Sequence, residues 1–208
     1  MYRGILLGTL LLLSGCGENS NTPLAGDIAS LAVEANATTF YATQKVQMSA
    51  VASYTNGVPD SNATEFVEWS ESNSSIAFFS TTDAASSPGL LSGGEFGGDV
   101  EITGSYKQFF DTAVVHVHAL TSVTLSIENN DTNLSQEQTL QLQALGTFDD
   151  NTTLDVTESM TWILGNAGES NATLEQNGTL YTGDANGTLD INVTRYDVNA
   201  SLTVSVTP

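Results

Sequence analysis

One cysteine and two histidines are the side chains best equipped for chemistry in this chain of 208 residues. Cys16 offers a thiol for nucleophilic attack, metal ligation or acylation, and with no second cysteine it has no disulfide partner within the chain. His116 and His118 stand at i, i+2, a spacing that puts two imidazoles on one face of a strand, where they could take a metal. No third ligand is evident beside them, and Val115 and Val117 claim the opposite, buried face. The two histidines are therefore expected to face outward without a metal. Asp184-Ala185-Asn186-Gly187-Thr188-Leu189-Asp190 sets oxygen donors around a glycine, but it lacks the longer ligand series and closing Glu of an EF-type calcium loop. A turn before a strand explains the same residues. Calcium held between two units, through Glu128-Asn129-Asn130-Asp131 or Asp149-Asp150, is the other arrangement these carboxylates allow. Otherwise no cofactor is expected.

Catalysis finds no constellation to work with. The two histidines are neighbours, no Gly-X-Ser-X-Gly elbow presents a serine, and the P-loop and dinucleotide glycine patterns are missing. The expectation is a protein that is not an enzyme. Trp69 and Trp162 could serve as stacking platforms, yet a tryptophan repeated at one strand position is expected as a core anchor between sheets. Phe109-Phe110, between Tyr106-Lys107-Gln108 and Asp111, should lie near a hairpin, where one ring faces the core and its neighbour points outward. Phe109, Phe110 and the Leu90-Leu91 loop are the candidate partner contacts.

The elements that would position these residues are strands. Val46, Met48 and Ala50 alternate with polar residues, as do Val123, Leu125 and Ile127, then Leu140, Leu142 and Ala144, then Leu189, Ile191 and Val193, then Leu202, Val204 and Val206. Asn56-Gly57, Asp149-Asp150-Asn151, Asn177-Gly178 and Asn186-Gly187 supply turn chemistry between the runs. The pattern also repeats. Trp69 and Trp162 are 93 positions apart, and the opening strands at Ser30 and Ser122 are 92 apart, which marks a duplicated unit. The expected architecture is all-β: two tandem sandwiches over residues 30–119 and 120–208.

Charge narrows the partners. Four basic residues against 24 acidic ones give a formal charge of −20, which excludes nucleic acid and anionic lipid surfaces as electrostatic partners. The carboxylates are dispersed among Thr, Ser, Asn and Gly and read as a solvated surface.

The N-terminal segment sets the compartment. Arg3 precedes an apolar run from Ile5 to Leu13, and Leu13-Ser14-Gly15 leads into Cys16. The run is too short to span a bilayer, which takes about 20 residues, and it reads as a secretory signal. Leu13-Ser14-Gly15-Cys16 resembles the lipobox of bacterial lipoproteins. That resemblance implies loss of residues 1–15, acylation of Cys16, attachment to the membrane through lipid alone, and a flexible tether over residues 16–29. Gly17, where retained lipoproteins carry Asp, implies the outer membrane if the organism is Gram-negative.

Each unit resembles the bacterial immunoglobulin-like (Ig-like) domain of group 2, repeated in intimin-like and invasin-like surface proteins. In the second unit the resemblance runs from Val123–Ile127 through Gln138–Ala144, Thr161-Trp162 and Asn177-Gly178-Thr179-Leu180-Tyr181 to Leu202–Val206. In the first it rests on Lys45–Ala50, Trp69–Asn73 and Gly98–Ile102, with Ser86–Gly94 expected to replace the compact Asn-Gly turn. The resemblance implies a non-catalytic adhesive or binding module for an envelope protein or glycan. A passive spacer or assembly subunit, and a carbohydrate-binding accessory, are the alternatives.

Overall fold

The computed structural model describes residues 24, 26–80, 87–127, 130–166 and 170–208. The acylation expected at Cys16, the leader and most of the tether lie outside the described residues, as do Glu128 and Asn129.

Two sandwiches of the same topology follow one another. In the first, β1 (Ile28–Ala35), β3 (Lys45–Tyr54), β7 (Leu90–Gly93) and β6 (Ala77–Phe79) pair in that order, with β4 (Ser61–Asn62) also on β3. The facing sheet runs β2 (Thr39–Tyr41), β9 (Phe109–His118), β8 (Gly98–Tyr106) and β5 (Glu68–Glu71). In the second, β10 (Leu120–Ile127), β12 (Thr139–Phe148), β16 (Thr179–Tyr181) and β15 (Thr173–Leu174) pair in order, with β13 (Thr153–Asp155) on β12. Its partner sheet runs β11 (Asn133–Ser135), β18 (Val198–Thr207), β17 (Gly187–Arg195) and β14 (Thr161–Gly165). The strand order is the same in both halves, and even the irregularities recur. The first strand of each unit is bulged, between Ile28 and Ser30 and between Leu120 and Ser122.

Alternation builds the core, because successive side chains on a strand face opposite ways. Val46, Met48 and Ala50 on β3 are buried, as are Leu140, Leu142 and Ala144 on β12. Val100, Ile102, Val115 and Val117 close the first core, and Leu189, Ile191, Val193, Val204 and Val206 the second. Trp162 is buried at 4% exposure. Trp69 is half-buried against the first core, its ring 5.7 Å from Phe79. Each indole N–H donates to the carbonyl five residues upstream, Trp69 to Thr64 at 3.1 Å and Trp162 to Thr157 at 2.9 Å. Those two threonines repeat as well: their hydroxyls accept from the Ala50 and Ala144 amides at 3.0 and 2.9 Å.

The stretch around Leu90 and Leu91 corrects the sequence reading. These residues form β7, a central strand rather than a loop, and Leu91 is completely buried opposite Val46 and Phe79. It occupies the place that Leu180 holds in the second unit, opposite Leu140. Leu91 therefore offers nothing to a partner, and Leu90 is only half-exposed. The compact turn is also kept in the first unit, as Pro88-Gly89 in place of Asn177-Gly178. Gly89 and Gly178 have φ of +78° and +82°, and their carbonyls accept from the Met48 and Leu142 amides at 2.8 and 2.9 Å. The additional residues of the first unit come before this turn.

Candidate functional site

The chemistry-bearing side chains gather on the outer face of the first unit's four-stranded sheet and at the junction below it. On β9, Phe110, Thr112, Val114, His116 and His118 share that face. The β8–β9 turn is tight, with Lys107 at φ +57°, and it divides the phenylalanine pair as alternation requires. Phe109 packs against the core, whereas Phe110 is 70% exposed. Val114, two positions short of His116, is 56% exposed. The second unit places Asn199, Ser201, Thr203, Ser205 and Thr207 at the matching positions of β18, with the same pairing between the last two strands of the unit.

Both histidines engage carboxylates through the same nitrogen. His116 Nδ1 lies 2.6 Å from Asp99 Oδ1 on the neighbouring strand, and His118 Nδ1 lies 2.6 Å from Asp149 Oδ1. A carboxylate at neutral pH only accepts, so each Nδ1 carries the hydrogen and each Nε2 is left for another partner. The two rings meet edge to face, with centroids 4.9 Å apart.

Asp149 and Asp150 reach His118 because the β12–β13 turn of the second unit abuts the first. Asn151 at φ +65° makes the turn tight, and Asp150 Oδ1 accepts the Thr152 amide at 2.8 Å. That backbone bond is the main reason Asp150 is held below the usual carboxylate value. The Thr152 and Tyr41 hydroxyls and nearby His118 act in the same direction, against a cost of desolvation. Asp149 Oδ2 accepts the Ala119 amide at 3.1 Å, and the Asp149 amide donates to the Ala119 carbonyl at 3.0 Å. Tyr41 wedges between the units. Its ring lies 4.7 Å from Phe148 and 5.3 Å from His118, and its hydroxyl donates to Asp150 at 3.2 Å. On the other side of the junction, Arg195 donates to the Ser159 carbonyl at 2.7 Å and to the Ala42 carbonyl of the first unit at 3.1 Å.

The carboxylates of the Asp184–Asp190 stretch are engaged in hydrogen bonds. Asp184 accepts from Asn171 at 2.7 Å, and Asp190 accepts from Asn166 and Thr203 at 2.7 and 2.9 Å. Asn186 accepts from Gln136. Among the described residues, the one group of three potential ligands close enough to share an ion is His118, Asp149 and Asp150, with donor atoms within 4.8 Å of one another. Sequence reading considered the histidines and the Asp149-Asp150 pair separately and did not join them. An open cleft of ≈ 820 Å³ also lies in the second unit, where Gln141, Gln143, Asp155 and Thr157 line it beside Glu158. Its polar groups bond one another: Gln143 donates to Asp155 at 3.0 Å, and Gln141 donates to the Asn177 carbonyl at 2.6 Å.

The family of bacterial Ig-like domains of group 2 matches residues 119–206. The second unit thus matches the bacterial Ig-like domain family. Its strands β10 to β18 account for the whole of that match, and the first Ig-like sandwich repeats them strand for strand. Ice-binding protein 1 of Shewanella frigidimarina (strain NCIMB 400) is 28% identical to this chain over 173 residues, which is 78% of the chain and 18% of that protein. The chain therefore spans less than a fifth of that relative. Among solved structures, domains 5-6 of the S-layer protein SbsC are 14% identical, covering 86% of this chain and 97% of that one with a TM-score of 0.35. The Escherichia coli adhesin FdeC is 17% identical, with 86% and 64% covered and a TM-score of 0.34. The Yersinia pseudotuberculosis adhesin InvE is 10% identical, with 88% and 61% covered and a TM-score of 0.36.

Proposed function

We propose that this chain is a non-catalytic binding or adhesion module of the bacterial cell envelope, and that the outer face of the first Ig-like sheet takes its partner. The reading is supported above all by one substitution pattern. Where the second unit has Asn199 and Thr203, the first has Phe110 and Val114, exposed at 70% and 56%. Exposed aliphatic and aromatic side chains cost solubility and are not needed by the fold, since the sister domain folds with polar residues there. Glu101, Asp99 and Glu68 lie on the same face of β8 and β5, and with a chain charge of −20 they favour a neutral or basic protein, or a glycan, as partner. Acylation of Cys16 would supply the anchor, in the outer membrane of a Gram-negative cell. The body carries no basic patch to hold it to lipid. Ice binding, which the Shewanella relative's name gives to that protein, is not carried over on 18% of its length.

The test is to give the first unit the second unit's residues. Phe110→Asn and Val114→Thr together should abolish retention of a specific partner from envelope extract, or binding on a glycan array, while stability changes by no more than about 0.5 kcal/mol. Retention that survives the double substitution refutes this face as the contact. A passive spacer is the second reading, favoured by the bonded junction at Arg195 and Tyr41. It predicts no retention by the unsubstituted protein at all.

A further inference from the structure

We propose that the junction between the two Ig-like units binds a divalent transition-metal ion of the zinc class, through His118 Nε2 and the Asp150 carboxylate, with Asp149 fixing the imidazole. The argument starts from the ring. Its Nδ1 is committed to Asp149 at 2.6 Å, which leaves Nε2 facing Asp150 Oδ2 at 3.7 Å. With a neutral imidazole, Nε2 is an acceptor facing a carboxylate oxygen that accepts the Thr152 and Tyr41 hydroxyls at 2.9 and 3.2 Å, and a cation placed between the two would be ligated by both. An N–H···O hydrogen bond spans about 2.7–3.2 Å. The observed 3.7 Å is too long for that bond and close to the separation of about 3.4 Å between two ligands held tetrahedrally at 2.0–2.1 Å from one ion.

The surroundings suit such a site. A carboxylate on the far nitrogen of a ligating histidine is the arrangement that fixes ring orientation and raises ligand basicity. Asp149 is itself held by the Ala119 amide at 3.1 Å. Asp150 stays ionised, with its second oxygen anchored by the Thr152 amide. His118 is sheltered at 18% side-chain exposure, yet Asp149 and Asp150 remain open to solvent at 38% and 28%, so an ion can enter and keep water ligands. The donor set selects the metal: imidazole suits zinc, copper and nickel, whereas calcium takes 6–8 oxygen ligands. The ion would hold together residues that the two units contribute separately, His118 from β9 of the first and Asp150 from the β12–β13 turn of the second. The first unit's own corresponding turn carries Thr55 and Asn56 where the second has Asp149 and Asp150. The site lies at the junction end of the face that carries Phe110 and Val114, neither of which is a ligand, so either proposal can fail without the other.

The experiment is a titration of the full chain with Zn²⁺, and separately with Ca²⁺, by calorimetry and by thermal unfolding, alongside ring-nitrogen NMR of His118. Zn²⁺ should raise the unfolding midpoint and move the Nε2 resonance while Nδ1 keeps its hydrogen, and Ca²⁺ should do neither. His118→Gln and Asp150→Asn should each weaken Zn²⁺ binding at least about tenfold, and Asp149→Asn by about 10–100-fold. Asp190→Asn, on the far strand of the second unit, should leave it unchanged and so reports diffuse binding to an acidic surface. Zn²⁺ binding that is equal in His118→Gln, an Nε2 that carries a proton at neutral pH, or an equal response to Ca²⁺ would each overturn the proposal.

Discussion

The outer faces of the two four-stranded sheets share a frame and differ in what they carry. Strand order, first-strand bulge, core positions and the glycine turn recur from one unit to the other. On the final strand, however, Phe110, Thr112, Val114, His116 and His118 stand against Asn199, Ser201, Thr203, Ser205 and Thr207. Because the second unit folds with an entirely polar set, none of the first unit's side chains on that face is demanded by the sandwich. Repetition acts here as an internal control: shared features belong to folding, and unshared ones are free to serve something else. The same logic isolates Asp149 and Asp150, since the first unit carries Thr55 and Asn56 at the corresponding positions.

The largest effects should come from the tryptophans, where the units are similar but not equal. Trp162 is buried at 4% exposure and Trp69 only half so. Trp162→Ala should therefore cost about 3–5 kcal/mol, as truncation of a buried aromatic does, and Trp69→Ala about half of that. Guanidinium unfolding followed by circular dichroism measures both, and equal losses would remove the distinction between the two cores. Next come the turns, where the units should behave alike. A Cβ at Gly89 would meet the Met48 carbonyl at 2.5 Å, and one at Gly178 the Leu142 carbonyl at 2.8 Å, each from a positive φ. Gly89→Ala and Gly178→Ala should each cost about 2 kcal/mol, the left-handed penalty plus local displacement. The glycines also leave room for Gln47 and Gln141, which donate across the turn to the Pro88 and Asn177 carbonyls at 2.8 and 2.6 Å. An intact first unit in Gly89→Ala would show that Pro88-Gly89 is not the counterpart of Asn177-Gly178.

What the sequence made legible was whatever is local and periodic. Alternation at Val46, Met48 and Ala50, or at Leu189, Ile191 and Val193, names both strand and buried face, because side-chain direction on a strand has a period of two. The split between Phe109 and Phe110 follows from the same rule. β7 was lost because four residues among serines and glycines carry too little pattern. The signal lay instead in aligning Leu91 with Leu180 across the repeat. The ligand group was not legible for a different reason. His118 and Asp149 are 31 positions apart, and their meeting depends on how the second unit's turn abuts the first unit's last strand, which no periodicity encodes. Tyr41 and Asp99 escaped notice similarly, since a lone tyrosine or aspartate has no spacing to read.

The smallest effect separates the units by pH. Asp155 in the second unit accepts from Gln143 at 3.0 Å, and from the Thr157 hydroxyl and amide at 2.6 and 2.9 Å. The Gln143 bond is the largest cause, ahead of the two from Thr157, that holds its carboxyl below the usual value. In the first unit Asn62 takes the same place and accepts the Thr64 amide at 2.9 Å without titrating. A carboxyl whose folded value is depressed adds stability above its unfolded value of about pH 3.9, and that stability is lost as pH falls through the folded value. Asp155 lies at the surface, so screening limits its share to about a few tenths of a kcal/mol. Asp155→Asn should therefore flatten the acid limb of the second unit's stability below about pH 4, and Asn62→Asp should introduce such a limb in the first. Unfolding midpoints measured across that range would decide it. If Asp155→Asn left the acid dependence untouched, the equivalence between the Asp155 and Asn62 turns would hold for geometry and not for energetics.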